Sequence, residues 1–194
     1  MVFRTELSKN GRMTQGGTGM ARVDTAERTA TGAKDTTRQR ITTFLAFSDR
    51  AEEAITLYTS VFKNSKIVSL SRSESEGPVA KGKVLGAEFE LDGQRFFAMD
   101  GGEHFTFTDG VSLFVNCQTQ EEIDYYWEKL SAGGEKGPCG WLKDRFGLSW
   151  QIVPSVLGEM LTDDKSGNSQ KAMEAMLKMS KLDIKQLKQA YAQR

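Results

Sequence analysis

The chain repeats one order of signals twice, and that repeat limits what it can fold into more than any other feature. A strand-like run from Ile41 to Phe47 leads into Asp49-Arg50-Ala51-Glu52, a capping-box pattern that opens a helix. The spacing predicts a buried helix face of Ala54, Ile55, Tyr58, Val61 and Phe62, closed by Lys63-Asn64. Three β-like runs follow, Lys66 to Ser71, Val84 to Leu91 and Arg95 to Met99, the last two joined by Asp92-Gly93 as a two-residue hairpin turn. From Val111 the order returns: a strand to Cys117, a capping box in Thr119-Gln120-Glu121-Glu122, and a helix burying Ile123, Tyr126, Trp127 and Leu130 that stops at Gly133-Gly134. Ile55, Tyr58 and Phe62 precede Ile123, Tyr126 and Leu130 by a constant 68 residues, the mark of an internal repeat.

The second pass ends with a Gly-rich segment to Gly140, a short strand around Trp141-Leu142-Lys143, a turn at Asp144-Arg145-Phe146-Gly147 and a last strand from Leu148 to Val153, which Pro154 stops. Beyond it, Ser155 to Leu161, Gln170 to Met179 and Ile184 to Tyr191 read as helices, with Asp183 able to cap the last. Met173, Met176 and Met179 lie on related faces and are read as core or dimer packing rather than a peptide groove. The expected organisation is an N-terminal extension over 1–40, a paired domain over 41–154 and a helical extension over 155–194. The first segment holds eight Lys or Arg against four acids with no helical or strand period, so it is expected to stay disordered. Its acids, Glu6, Asp24, Glu27 and Asp35, argue against a transit peptide.

Lys plus Arg equals Asp plus Glu at 26 each, so no global field gathers nucleic acid or an anionic membrane surface. No apolar run approaches the ~20 residues that span a bilayer. Cys117 and Cys139 are the only cysteines and His104 the only histidine, which argues against a disulfide framework or a structural zinc site and fits a reducing cytoplasm.

Phe44-Leu45-Ala46-Phe47-Ser48-Asp49, then Ala54-Ile55, Tyr58 and Val61-Phe62, resemble the opening of vicinal oxygen chelate proteins, the glyoxalase and bleomycin-resistance superfamily. Cys117 to Asp124, Gly140 to Gly147 and Ser149 to Pro154 resemble its PhnB-like branch, often labelled 3-demethylubiquinone-9 3-methyltransferase-like; Met176 to Met179 with Leu182-Asp183-Ile184 extends the likeness, which runs from about Arg40 to Tyr191. The resemblance implies an α+β fold: two paired βαβββ units forming a half-open β-barrel cavity, helices outside, with a C-terminal helical extension. It also implies a homodimer.

Strand alternation assigns faces. The odd-numbered sets, Thr43, Leu45 and Phe47 on the first strand and Ser149, Gln151 and Val153 on the last, are expected toward the cavity. The positions that carry metal ligands in the superfamily fall near Thr43, Ala98, Ser112 and Gln151, none a strong ligand, so no metal and no cofactor is expected. His104, with Glu103, Asp100 and Asp109 around it, reads as a solvated loop residue. The alternative makes His104 or Asp100 a general base, with Phe105, Phe107 and Trp141 gripping an apolar ligand. Gln151 and Ser112 could orient that ligand by hydrogen bonds, and Cys139 reads as an incidental rather than a reactive thiol. The leading expectation is a non-metal module that binds an unidentified, partly apolar small molecule. The competing readings are an enzyme with rearranged or no metal ligands, and the labelled methyltransferase, for which no phosphate- or adenosine-binding glycine loop follows a strand, since Gly16-Gly17-Thr18-Gly19 lies in the leader.

Overall fold

The computed structural model describes residues 40–163 and 168–192; the expected disorder of the leader lies outside the described residues. Eight strands and five helices are described, in the order β1 (Thr43–Phe47), α1 (Ala51–Val61), β2 (Lys66–Arg72), β3 (Val84–Leu91), β4 (Gln94–Asp100), β5 (Ser112–Cys117), α2 (Gln120–Ser131), β6 (Glu135–Lys136), β7 (Trp141–Lys143), β8 (Ser149–Pro154), α3 (Ser155–Thr162), α4 (Ser169–Met176) and α5 (Ile184–Tyr191). Two βαβββ units are therefore present, each a four-stranded mixed sheet: β1-β4-β3-β2 in sheet A and β5-β8-β7-β6 in sheet B. The first strand of each unit pairs parallel to the last, with Leu45 opposite Ala98 and Leu113 opposite Trp150.

The two capping boxes fare differently. Thr119 Oγ1 accepts from the Glu122 amide at 3.3 Å, and Glu122 reaches back to the Gln118 amide at 2.7 Å, so α2 is capped as its sequence predicts. At α1 the N-cap is Arg50, which makes no side-chain cap bond. The orphan amide of Ala51 donates instead to Asp100 Oδ1 at 2.8 Å, a buried carboxylate on β4 that also accepts from the Val84 amide. Asp92 and Gly93 both adopt positive φ, 47° and 78°, as the tight β3–β4 turn requires.

One apolar core joins both units. Leu45, Phe47, Phe89, Phe96 and Ala98 of sheet A, Trp150 and Ile152 of sheet B, and the buried faces of α1 and α2 belong to a single cluster. The Tyr58 ring on α1 meets Trp150 on β8 edge-on, with centroids 5.2 Å apart, and Phe62 stacks on both Trp150 and Tyr126. The helix-bearing faces of the two sheets thus turn toward each other. Both sheets are open, as the paired βαβββ architecture expects, and α3 to α5 form the helical C-terminal extension. A second core of Leu157, Met160, Ala172, Leu182 and Leu187 holds α3 to α5 together, with Val153 of β8 and Met176 and Met179 packed against it. No helix among the described residues is long and apolar enough to cross a membrane.

Candidate functional site

Sheet B presents its open face as a grid set by strand register. Ser112, Ser149 and Lys143 make one row across β5, β8 and β7; Phe114, Gln151 and Trp141 make the next; Asn116 and Val153 follow. Paired residues share a face, and alternate residues return to it. Helices α3 and α4 rise beside the last row, because Val153 leads through Pro154 straight into α3. Sheet and helices together line a cavity of about 310 Å³, bounded by Phe114, Trp141, Gln151, Cys139, Leu161 and Met176 among others.

Two backbone bonds hold that wall in place. The Cys139 amide donates to the Met179 carbonyl and the Gly140 amide to the Ser180 carbonyl, both at 2.7 Å. Across the floor Gln151 Nε2 donates to Ser112 Oγ at 2.8 Å. At the opposite end of the grid Lys143 Nζ pairs with Asp109 at 2.9 Å, and Ser149 Oγ donates to the same carboxylate at 3.4 Å. The hydrogen bond from Lys143 holds the Asp109 carboxyl below its usual range, and Asp109 raises Lys143 in return. Lys143 and Asp109 are therefore partnered, with Glu135 opposite Lys143 in register on β6.

Of the residues singled out from sequence, Ser112, Trp141 and Gln151 share this open face, and Gln151 and Trp141 line the cavity. The face assigned to the first strand needs correction. Leu45 and Phe47 are 4% and 2% exposed and belong to the core under α1, and Ala98 is fully buried between Leu45 and Ala87. Thr43 shares their parity and lies on the helix side. The open face of sheet A carries Phe44, Ala46, Phe97 and Met99 instead. The Phe107 ring packs edge-on against Phe47, 5.1 Å between centroids. His104 and Phe105 are exposed in the β4–β5 loop, where the Phe105 carbonyl accepts from Ser48 Oγ. Asp100 is buried as the cap of α1, at the edge of a separate cavity lined by Arg50, Glu53 and Arg145.

Sequence reasoning passed over Phe114, and its own repeat held the signal. The offset of 68 maps Leu45 and Phe47 onto Leu113 and Val115, which leaves Phe44 and Ala46 to match Ser112 and Phe114 on the open face. A divalent ion does not fit the positions aligned with superfamily ligands: Thr43 and Ala98 face away, and a hydroxyl with a carboxamide supplies neither the charge nor the basicity to hold it. Among the described residues no three His, Cys, Asp or Glu side chains are grouped so that they could hold a metal ion.

The two thiols differ in a way that labelling can read. Burial, with Glu122 nearby, pushes the Cys117 thiol up to about 12, whereas Cys139 is half-buried in the cavity wall. At pH 8 iodoacetamide is expected to modify Cys139 and leave Cys117 intact in the folded protein, with both modified in denaturant, as peptide mass mapping will show.

A family model described as 3-demethylubiquinone-9 3-methyltransferase matches residues 39–153. A Bacillus cereus structure described as a putative 3-demethylubiquinone-9 3-methyltransferase, PhnB protein, shares 43% identity, covering 60% of this chain and all of that one with a TM-score of 0.56. Protein PA1353 from Pseudomonas aeruginosa, 20% identical, covers 60% of this chain and 98% of its own with a TM-score of 0.52, a likeness of fold alone. A glyoxylase/bleomycin resistance protein/dioxygenase domain from Frankia, at 15% identity and a TM-score of 0.40, covers 60% of this chain and 91% of its own. No curated protein matches the chain.

Proposed function

The chain belongs to the 3-demethylubiquinone-9 3-methyltransferase family of the vicinal oxygen chelate superfamily, and on that premise we propose that it is a metal-free, cytoplasmic small-molecule-binding module that works as a homodimer. The observation that carries this reading is the open face of sheet B, where Phe114, Gln151 and Trp141 stand in register within a cavity walled by α3 and α4. Methyl transfer is not part of it. The described strand-to-helix turns, Ser48 to Arg50 after β1 and Gln118-Thr119 after β5, contain no glycine with which to cradle a nucleotide-like cofactor.

Edge strands invite pairing unless something blunts them. β2 is blunted by Lys66, Arg72 and two register shifts, and β6 is a two-residue Glu-Lys strand. β1 and β5 carry no charged residue, and large apolar side chains lie exposed on or just before them: Ile41 and Phe44, Val111 and Phe114. The occupant of these edges is a second copy, β1 of one chain beside β5 of the other. That arrangement sets the open face of sheet A across from the open face of its partner's sheet B and closes the cavity that one chain leaves open.

Native mass spectrometry with elemental analysis, on protein never exposed to a chelator, tests both halves. The expected result is a metal-free dimer. A near-stoichiometric transition metal overturns the metal-free reading, and a monomer at micromolar concentration overturns the edge pairing.

A further inference from the structure

The lining of the sheet B cavity restricts what can enter it. Its walls are Phe114, Asn116, Cys139, Trp141, Gln151 and Val153 from the sheet side, with apolar residues of α3 and α4 opposite, and no charged side chain is among them. An ion placed there without a partner would lose several kcal/mol of hydration with nothing to replace it. The nearest charges on the grid, Lys143 and Asp109, are already paired with each other. The face that a second copy would bring opposite has its charges paired too, Arg95 with Glu88 at 3.0 Å and Lys66 with Glu90 at 3.2 Å.

Shape adds a second restriction. Phe114 on β5 and Trp141 on β7 flank Gln151 in register, two strand spacings of ~4.8 Å apart, so their backbones are roughly 10 Å from each other. That leaves a slot suited to one flat ring, which needs ~3.5–4.0 Å of contact distance on each side. Gln151 sits at the floor of the slot. Its carboxamide spends one N–H on Ser112, and among the described residues its oxygen accepts nothing, so it offers a donor and an acceptor to an occupant. A volume of about 310 Å³ lies at the small end for ligand sites.

We infer that the ligand of this site is an uncharged planar aromatic compound of fragment size, bearing a hydroxyl or comparable hydrogen-bonding group that meets Gln151. The inference rests on the binding-module reading above and narrows it to a chemical class.

Three probes of one shape separate the two claims: 2-naphthol, 2-naphthoate and 2-naphthylmethylammonium, titrated calorimetrically into the full-length protein at pH 7. The neutral probe is expected to bind at least about tenfold more tightly than either ion, the difference set by desolvating an unpaired charge. Gln151→Leu is expected to weaken it about fivefold, one hydrogen bond's worth. Phe114→Ala, at a residue 53% exposed and therefore tolerated by the fold, should weaken it further by removing one side of the slot. If an ionic probe binds as well as naphthol, the chemical class is wrong while a small-molecule site stands. If no probe binds the folded protein, the binding-module reading falls with it. Naphthol binding that ignores both substitutions places the ligand elsewhere and overturns the inference.

Discussion

Asp144→Ala is expected to destabilise the protein by about 4 kcal/mol and lower its melting temperature by roughly 10 °C. The carboxylate is 3% exposed and accepts four hydrogen bonds. Oδ2 takes the Tyr58 hydroxyl at 2.6 Å and the Trp150 indole N–H at 2.8 Å; Oδ1 takes the amides of Phe146 and Leu148 at 2.8 and 3.1 Å. Alanine strands all four donors in the core where the two units meet. Asparagine is expected to be nearly as damaging, because its NH₂ must oppose two donors whichever way it turns. Tyr58→Phe, which deletes one donor and leaves the acceptor its other three, should cost only about 1 kcal/mol. Urea unfolding of the three variants checks the order. An Asp144→Ala protein within about 1 kcal/mol of the parent would show that the units are not held together there.

The same contact has a pH signature. Burial first, and then Asp144, raise the Tyr58 hydroxyl well above its ordinary value. A folded pKa above the unfolded one of about 10 means this contribution is complete below pH 10 and is lost as pH rises beyond it. Stability should therefore fall above pH 10 in the parent, and the fall should be shallower in Tyr58→Phe.

Gly140→Ala carries the second large effect, about 3 kcal/mol, and it reaches function. Gly140 has φ +83°, and an added Cβ would stand 2.6 Å from the Ile152 carbonyl and 3.1 Å from Leu182. Neither side can yield cheaply, since β8 is an interior strand of sheet B and Leu182 is fully buried in the second core. The residue's amide and carbonyl are both in use, to Ser180 and from Ile152. Accommodating alanine means pulling the C-terminal helices off the sheet, which removes the cavity wall. Hydrogen exchange should show α3 to α5 losing protection before either sheet, with naphthol binding lost in parallel. Gly158 on α3 makes the contrast: its Cβ would meet nothing within 4 Å, so Gly158→Ala should stabilise by about 0.5–1 kcal/mol.

The order β-α-β-β-β was legible in the first unit, and all of it but β6 in the second, because local signals agree with the fold: helical spacing from Ile55 to Phe62, the Thr119 capping box and the Asp92-Gly93 turn. The cap of α1 was not, because its acceptor is Asp100, 49 residues away in sequence, and no local pattern reports that. β6 was missed because Glu135 and Lys136 are too short a run to alternate. The face of β1 went wrong for a different reason. Both Leu45 and Phe47 on one side and Phe44 and Ala46 on the other are apolar, so alternation carries no contrast there, and burial decides it only once α1 is in place. The cavity wall was beyond the sequence altogether, since Cys139 and Gly140 meet Met179 and Ser180 through backbone atoms that leave no mark in side-chain pattern.

The most direct test of a ligand site on the open face of sheet B is a ¹⁵N–¹H spectrum of the tryptophan indoles and the Gln151 side-chain amide during titration with 2-naphthol. Trp141 lines the cavity, whereas Trp127 and Trp150 are buried in the main core. Saturable shifts at Trp141 and Gln151 are expected, with Trp127 and Trp150 unmoved. Shifts confined to the buried indoles, or a silent Trp141 while naphthol binds, would contradict a site there.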